Sequence, residues 1–310
     1  MKTKVLLSIV SPVYRAEDIV DELVKQIILN VKDIDGDFEI VLVDDGSPDQ
    51  SWNRIAENCK KNKRVKGVKL SRNFGQHYAI TAGLSVATGE WIIVMDCDLQ
   101  DNPKEINNLF NEAQKGHDLV LARRKLRNDS FIKRTMSKWF YALFGYLTDT
   151  KQDAAIANYG IYNRKVVDAI LSMKDKVRYF PTMTQWVGFS AHYIDVNHNQ
   201  RISGKSSYNW KSLFRLGFNN IIAFSSKPLL LTIRLGVIIS TLSFLLGGYY
   251  FVMYLKGKID EPGFPSVIIS IWFLGGVIIS ILGVIGLYIG KTFNQTKDRP
   301  NYIIDKVANL

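Results

Sequence analysis

The chain has 310 residues, 47% of them hydrophobic, and a formal net charge of +11. That length is enough for a proper core, with room for one catalytic domain of about 225 residues and a small membrane module. Its two cysteines, Cys59 and Cys97, argue against a disulfide framework or a zinc site, and the basic balance points to anionic lipid and phosphate-bearing substrates, with no nucleic acid partner.

In chain order, four strand-like runs alternate with helical patterns over the first hundred residues: Val5 to Val10, Glu39 to Val43, Val65 to Leu70 and Trp91 to Met95. Three are nearly all apolar, as expected for strands covered on both faces. The third is interrupted by Lys66, Gly67 and Lys69 and is expected nearer an edge. Between them, Glu17 to Val31 carries apolar residues at helical spacing, and Asn73 is the expected cap of a helix that stops near Gly89. This alternation predicts an α/β domain with a mostly parallel central sheet, whose ligands bind beyond the carboxyl ends of the strands. Every conspicuous polar cluster falls there: Ser11-Pro12-Val13-Tyr14, Asp44-Asp45-Gly46-Ser47, Ser71-Arg72-Asn73, and Asp96 through Gln100 to Asp101.

Asp96-Cys97-Asp98 is the most informative of these. The motif is read as the end of the fourth strand, where alternation points Asp96 and Asp98 to one face and Cys97 to the other. Two hard oxygen ligands suit Mg2+ or Mn2+, which take remaining ligands from water and substrate phosphates, so the motif suggests a nucleoside diphosphate donor. Asp44 and Asp45 follow a strand end, where one of them can accept hydrogen bonds from a nucleobase or ribose. Arg72 is a candidate for the donor phosphates.

Further along, the basic stretch Arg123-Arg124-Lys125-Leu126-Arg127, with Lys133, Arg134 and Ser137, suits an anionic acceptor. Two aromatic and basic segments, about 130–147 and 208–224, read as interfacial amphipathic helices. Leu235 to Leu255 is 21 residues without a charge, and Phe264 to Gly290 is 27. Each is long enough to span a bilayer, which needs roughly 20 residues. With only Lys256 to Gly263 between them they form a transmembrane hairpin. The domain scheme is therefore residues 1–225 catalytic, 226–290 two spans (about 232–255 and 264–290), and 291–310 a tail. The Lys and Arg excess of the amino-terminal region puts it and both termini on the cytoplasmic side of a multi-pass cell-membrane protein. The first apolar run is short and leads through Pro12 into acidic residues, which reads as a strand and not as a leader.

The motifs Ser11-Pro12-Val13-Tyr14, Val43 to Ser47, Leu70 to His77 and Met95 to Pro103 resemble, in the same order, those of family-2 glycosyltransferases with a GT-A fold. The two spans behind them resemble the polyprenyl-phosphate branch of that family. The resemblance implies inverting transfer of one sugar from a nucleotide sugar, UDP preferred, to a polyprenyl phosphate such as undecaprenyl phosphate. It implies a donor site at Pro12, Tyr14, Asp44, Asp45, Arg72, Asp96 and Gln100, with Asp45 toward the base, Asp96 toward the ribose and Asp98 on the metal. It also implies Arg123, Lys133 and Ser137 near the acceptor phosphate, with Arg134 in the same stretch. A closing loop similar to Arg201-Ile202-Ser203-Gly204-Lys205-Ser206 would contribute Arg201, Lys205 and Ser206 as phosphate donors. Asp153 is the nearest match to an aspartate treated as catalytic in relatives, which place it closer to an Asn-aromatic pair (here Asn158-Tyr159) and follow that with arginine where this chain has Gly160. Such relatives form homo-oligomers, so one is expected here, a tetramer being compatible, with Tyr302, Ile303 and Ile304 as a docking point for a neighbouring subunit. Three other readings fit less well. A processive polysaccharide synthase would carry a Gln-x-x-Arg-Trp motif and more spans, a nucleotidyltransferase would not explain the lipid-facing region, and a non-enzymatic scaffold would not keep the acidic residues.

Overall fold

A computed structural model describes residues 5–124, 145–147, 156–196, 221–222, 225–258 and 263–310. Within them eight strands form one sheet: β1 (Val5–Val13), β2 (Asp37–Asp44), β3 (Val65–Leu70), β4 (Trp91–Val94), β5 (Leu119–Arg124), β6 (Ile156–Asn163), β7 (Ala191–Val196) and β8 (Ile304–Ala308). Their order is β7-β5-β6-β4-β1-β2-β3-β8. The central strands β4, β1, β2 and β3 run parallel, β6 runs antiparallel to β4 and β5, and β7 returns parallel to β5. The helices are α1 (Val20–Val31), α2 (Ser51–Lys61), α3 (Gln76–Val86), α4 (Ile106–Ala113), α5 (Arg164–Ser172), α6 (Phe180–Trp186), α7 (Lys227–Leu255) and α8 (Phe264–Thr296).

The core follows from the apolar runs. Leu7, Ile9, Ile40, Leu42 and Ile93 are fully buried, as are Leu23 and Ile27 on the inner face of α1. At roughly 1.5–3 kcal/mol for each such side chain, this burial is the main force holding α1 on the sheet. The expected helix start at Asn73 is displaced: α3 begins at Gln76, after Gly75 at φ 109°, and has no side-chain cap. Its approach is fixed instead by Asp45, as described below. The third strand lies next to the edge as its lysines suggest, and the edge itself is β8, supplied by the far end of the chain. Gly160 sits inside β6 opposite Val94 and Leu121, and a Cβ there would lie 2.8 Å from the Val120 carbonyl oxygen. The glycine where the resemblance expects arginine is thus explained by close strand packing.

One buried charge lies at the other end of the sheet from the acidic turns. Glu39 Oε1 accepts from Ser8 Oγ at 2.6 Å, Thr88 N at 2.5 Å and Thr88 Oγ1 at 3.0 Å, while Oε2 forms an ion pair with Lys66 Nζ at 2.5 Å. Burial pushes the Glu39 carboxyl up, but the bonds from Lys66, Ser8 and Thr88 outweigh it and leave its pKa below the usual range. A depressed folded-state pKa means stability that is present above the unfolded pKa, about 4.3, and lost as pH falls through the folded value. Glu39→Gln is therefore expected to lower stability by about 2 kcal/mol at pH 7, because it strands Lys66. In thermal melts the gap between wild type and variant should narrow once pH falls below the unfolded value of about 4.3 and close as the folded carboxyl takes up its proton.

The contacts divide the chain into two units: the sheet with its helices and residues 299–310, and the helical segment that includes α7 and α8. Both helices are long and apolar enough to cross a membrane, with an 18-residue stretch of mean hydropathy 2.2 within Lys227–Leu255 and one of 2.3 within Ser270–Thr296. Phe244 and Trp272 on these helices are 82% and 79% exposed. The helices overrun the uncharged stretches at both ends, since α7 takes in Lys227 and Arg234 and α8 continues through Lys291 to Thr296. At 1.5 Å per residue α8 is about 50 Å long, so its charged end extends beyond a hydrocarbon core of about 30 Å. Within this unit Tyr288 Oη donates to the Ser225 carbonyl at 2.7 Å.

Tyr302, Ile303 and Ile304, expected to dock on a neighbouring subunit, pack on their own chain's sheet. Ile304 pairs with Leu70, the Ile303 carbonyl accepts from Ser71 N at 2.9 Å, and the hydroxyls of Tyr302 and Ser85 are 2.9 Å apart. The backbone groups of β3 satisfy this segment directly. The expected interfacial helices at about 130–147 and 208–224 fall almost wholly outside the described residues.

Candidate active site

The carboxyl ends of β1, β2, β3 and β4 gather the acidic motifs on one rim of the sheet. At the end of β2, Asp44 and Asp45 are both buried, at 0% and 2% exposure. The Asp45 backbone N–H donates to the Val13 carbonyl at 2.9 Å, which ties the motif to the end of β1. The Asp45 carboxylate accepts from the backbone N–H of Phe74 at 2.8 Å and of Gly75 at 2.9 Å. Both its oxygens thus hold the loop that enters α3. Burial pushes its pKa up to about 6, even though those two N–H groups pull it down. Asp44 is arranged differently: Oδ1 accepts from Ser47 N at 3.1 Å, and Oδ2 is buried with no hydrogen-bond partner among the described residues. Burial also raises its pKa. A buried carboxylate oxygen lacking a partner suits a ligand donor. Between the two loops, Gly46 at φ 63° lies against the backbone of Arg72 and Asn73, where a Cβ would come within 2.6 Å of Asn73 N. Only glycine lets these two rim loops touch.

The Asp-x-Asp motif lies in a turn. β4 ends at Val94, and the chain then turns through Asp96 to Leu99, with Leu99 at φ 58°. The alternation argument therefore does not position these aspartates, because strand geometry ends before Met95. Hydrogen bonds position them instead. Asp96 N donates to Asp101 Oδ2 at 3.0 Å, Gln76 Nε2 donates to Asp96 Oδ1 at 2.5 Å, and Gln100 N donates to Asp98 Oδ1 at 3.1 Å. Cys97 packs against the core. Burial, with Asp96 and Asp98 beside it, pushes its thiol up to about 12, so it is no thiolate ligand. A pair of aspartates set in a hydrogen-bonded turn offers hard oxygens, which fits Mg2+ or Mn2+ better than a soft metal.

Two residues of this rim were not singled out from the sequence: Gln76, which orients Asp96, and Asp101, which is 3% exposed and anchors its backbone. A third aspartate at the spacing Asp-x-Asp-x-x-Asp was the available signal for Asp101. Gln76 lies in the motif Leu70 to His77, but nothing local names its partner, since the contact spans twenty residues.

Among the other candidates, Pro12 is buried in β1, and Tyr14 is 40% exposed with the Arg15 guanidinium 5.4 Å from its ring centre. Arg72 is exposed and stacks over Phe74 at 4.5 Å, so its charge stands at the mouth of the rim on a ring that Asp45 fixes. Arg123, the penultimate residue of β5, donates from Nε to Asp195 Oδ1 of β7 at 2.7 Å. Lys133, Arg134, Ser137, Asp153, Arg201, Lys205 and Ser206 lie outside the described residues.

A mostly parallel α/β sheet with paired aspartates after β2 and β4 is an arrangement of the GT-A type. The chain matches the model for glycosyl transferase family 2 over residues 8–191 and belongs to that family of glycosyltransferases. Among curated proteins it is similar to the glycosyltransferase YkcC of Bacillus subtilis, 34% identical over 99% of this chain and 95% of the other. It is also similar to the bactoprenol glucosyl transferase of Shigella phage SfII, 32% identical over 97% of each chain. Among solved structures it resembles the glucosyl-3-phosphoglycerate synthase of Mycobacterium tuberculosis in complex with Mn2+ and UDP-glucose, with a TM-score of 0.50 at 14% identity. That likeness covers 70% of this chain and 77% of the other and concerns the fold.

Proposed function

We propose that the protein transfers a single sugar from a UDP-sugar to undecaprenyl phosphate at the cytoplasmic face of the cell membrane, with inversion. The product is a lipid-linked sugar that serves as donor for cell-envelope glycan or lipopolysaccharide modification. The observation that carries this reading is the similarity to a bactoprenol glucosyl transferase over 97% of both chains, which takes in the two apolar helices as well as the sheet. The hairpin topology has its own support: β3, ahead of the helices, and β8, behind them, pair in one sheet, so both flanks of a membrane-crossing pair lie on the same side.

The division of labour follows from the rim. Asp44 offers its unpartnered oxygen to an N–H of the base or to a ribose hydroxyl, and Asp45 holds the neighbouring loop in place. Pro12 and Tyr14 border the same cleft, and Gln100 closes the acidic turn. Asp96 and Asp98 would hold Mg2+ or Mn2+, which when bound neutralises charge developing on the departing nucleoside diphosphate. The acceptor is a phosphate with a second pKa near 6, so it arrives as an anion and needs no strong general base. It needs cations to bring it to an anionic donor, and Arg123, Lys133, Arg134, Arg201 and Lys205 are assigned that task with Ser137 and Ser206. Asp153 is assigned to the sugar, as ligand or base. The homo-oligomer remains part of this proposal.

Asp45 gives the rim a pH dependence. With a pKa near 6 it is charged above pH 6, and as pH falls through 6 it takes up a proton. One oxygen then becomes a hydroxyl, which cannot accept an N–H in the same way, and the Phe74–Gly75 loop loosens. UDP-sugar affinity is expected to fall about tenfold between pH 7 and pH 5, the loss of roughly one hydrogen bond to a charged acceptor. Asp45→Asn should bind weakly at both values with a flattened profile, read by calorimetric titration of a UDP-sugar, which lacks the terminal phosphate of UDP that itself titrates at about pH 6.

The test of the overall reading is transfer to undecaprenyl phosphate by purified full-length protein, offered UDP and GDP sugars with Mn2+ or Mg2+. One donor should yield a glycolipid. Nucleotide binding without transfer to that lipid would overturn the acceptor, and absence of any nucleotide binding would overturn the donor class.

A further inference from the structure

A second cluster of ligating side chains lies away from the acidic rim. Glu112 is the penultimate residue of α4, His117 stands in the connection from α4 to β5, and His192 is the second residue of β7, which forms the edge of the sheet. One carboxylate oxygen and one ring nitrogen from each histidine all lie within 4.8 Å of one another. Glu112 Oε1 is 3.1 Å from His192 Nε2 and 3.9 Å from His117 Nε2. The two imidazoles are stacked, with centres 4.3 Å apart and planes 8° from parallel. Their side chains are partly exposed, 20% for Glu112, 34% for His117 and 40% for His192, so an ion can reach them from solvent.

We propose that Glu112, His117 and His192 form a binding site for Zn2+ that clips the edge strand β7 to α4. Two imidazoles and one carboxylate are the ligand chemistry of zinc and its late first-row neighbours, and they leave a fourth position for water. Bonds of about 2.0–2.1 Å at tetrahedral angles put ligand atoms roughly 3.3 Å apart. The Glu112–His192 spacing already matches, and His117 must close by about half an ångström. Both rings must also turn out of their stack to bring a metal into their planes, a side-chain adjustment at two partly exposed residues. The scarcity of cysteine argued against a zinc site from composition, but this site uses none. The neighbouring charge that competes is Lys115, whose Nζ lies 2.6 Å from Glu112 Oε2, the oxygen opposite the one facing the histidines. The clip would fix the start of a strand whose other end carries Asp195, the partner of Arg123.

The site is separable from the donor aspartates. Tag-free full-length protein carrying Asp98→Asn, which weakens the rim site, should bind one equivalent of Zn2+ by calorimetry. Co2+ in its place should give the intense visible absorption of a tetrahedral nitrogen-oxygen set, not the weak band of an octahedral oxygen site. In that background Glu112→Gln, His117→Ala and His192→Ala should each lower Zn2+ affinity more than the roughly 10–100-fold that residues behind metal ligands are worth. A rise in melting temperature with Zn2+ should vanish in the same variants. No Zn2+ binding in the Asp98→Asn protein, or equal binding in the three further variants, would overturn the proposal.

Discussion

Asp98→Asn is expected to lower sugar transfer by about three orders of magnitude while leaving the fold intact. In the structure Asp98 Oδ1 accepts the Gln100 backbone N–H at 3.1 Å, a bond that closes the acidic turn. Asparagine keeps an oxygen at that place, so the turn survives and only the charge is lost. A metal stabilises a departing diphosphate by several kcal/mol, and about 4 kcal/mol corresponds to about a thousandfold in rate. The loss should appear in kcat, with affinity for Mn2+ in the presence of UDP falling in parallel, and the melting temperature should stay within a degree or two of wild type. Gln76→Ala provides a graded companion, since it removes one hydrogen bond from the Asp96 side chain without removing a charge. It should cost about tenfold, the scale of one lost orienting hydrogen bond. A wild-type rate in Asp98→Asn would remove that residue from the metal and leave the turn as a structural feature only.

The legible parts of this molecule were those governed by local periodicity. Apolar runs such as Ile40 to Val43 and Ile92 to Val94 identified the central strands, because buried parallel strands must be apolar on both faces. Asp44, Asp45, Asp96 and Asp98 could be named because strand ends place such groups on one rim. What local pattern could not supply was any contact set by distant residues. Strand periodicity suggested that Asp-x-Asp continues β4, whereas Leu99 at positive φ and the side chain of Asp101 fold it into a turn. Nor could it tell apart the two aspartates after β2: Asp45 accepts from the backbone of Phe74 and Gly75, while Asp44 keeps a buried oxygen without a hydrogen-bond partner among the described residues. Glu112, His117 and His192 were invisible for the same reason: the last two are 75 positions apart and meet only because β7 pairs beside β5.

Deleting residues 299–310 is expected to destabilise the sheet unit, because in this chain the tail is its last strand. β8 pairs antiparallel with β3 from Gly67 opposite Ala308 to Leu70 opposite Ile304. Beyond the ladder, Asn309 at φ 59° turns its side-chain amide onto three carbonyls, those of Cys59, Val65 at 3.0 Å and Asn62 at 3.4 Å. Asparagine tolerates that left-handed backbone better than most residues. At the other end Lys176 Nζ donates to the Arg299 carbonyl at 2.7 Å. Each lost bond is worth about 1 kcal/mol before the ordering entropy of the tail is subtracted, so a net loss of about 2–4 kcal/mol is expected. For a unit of this size that is a fall of roughly 10 °C in melting temperature. Truncation also bares the edge of β3, whose free N–H and C=O groups invite association. Asn309→Ala should reproduce about 1–2 kcal/mol of the effect by itself, because the loss of its amide leaves three carbonyls without that donor. Melting and assembly size measured together separate the two places the tail can act. A drop in melting temperature with unchanged assembly fits a strand held by its own chain, whereas unchanged melting with a smaller assembly would transfer the tail to a neighbouring subunit.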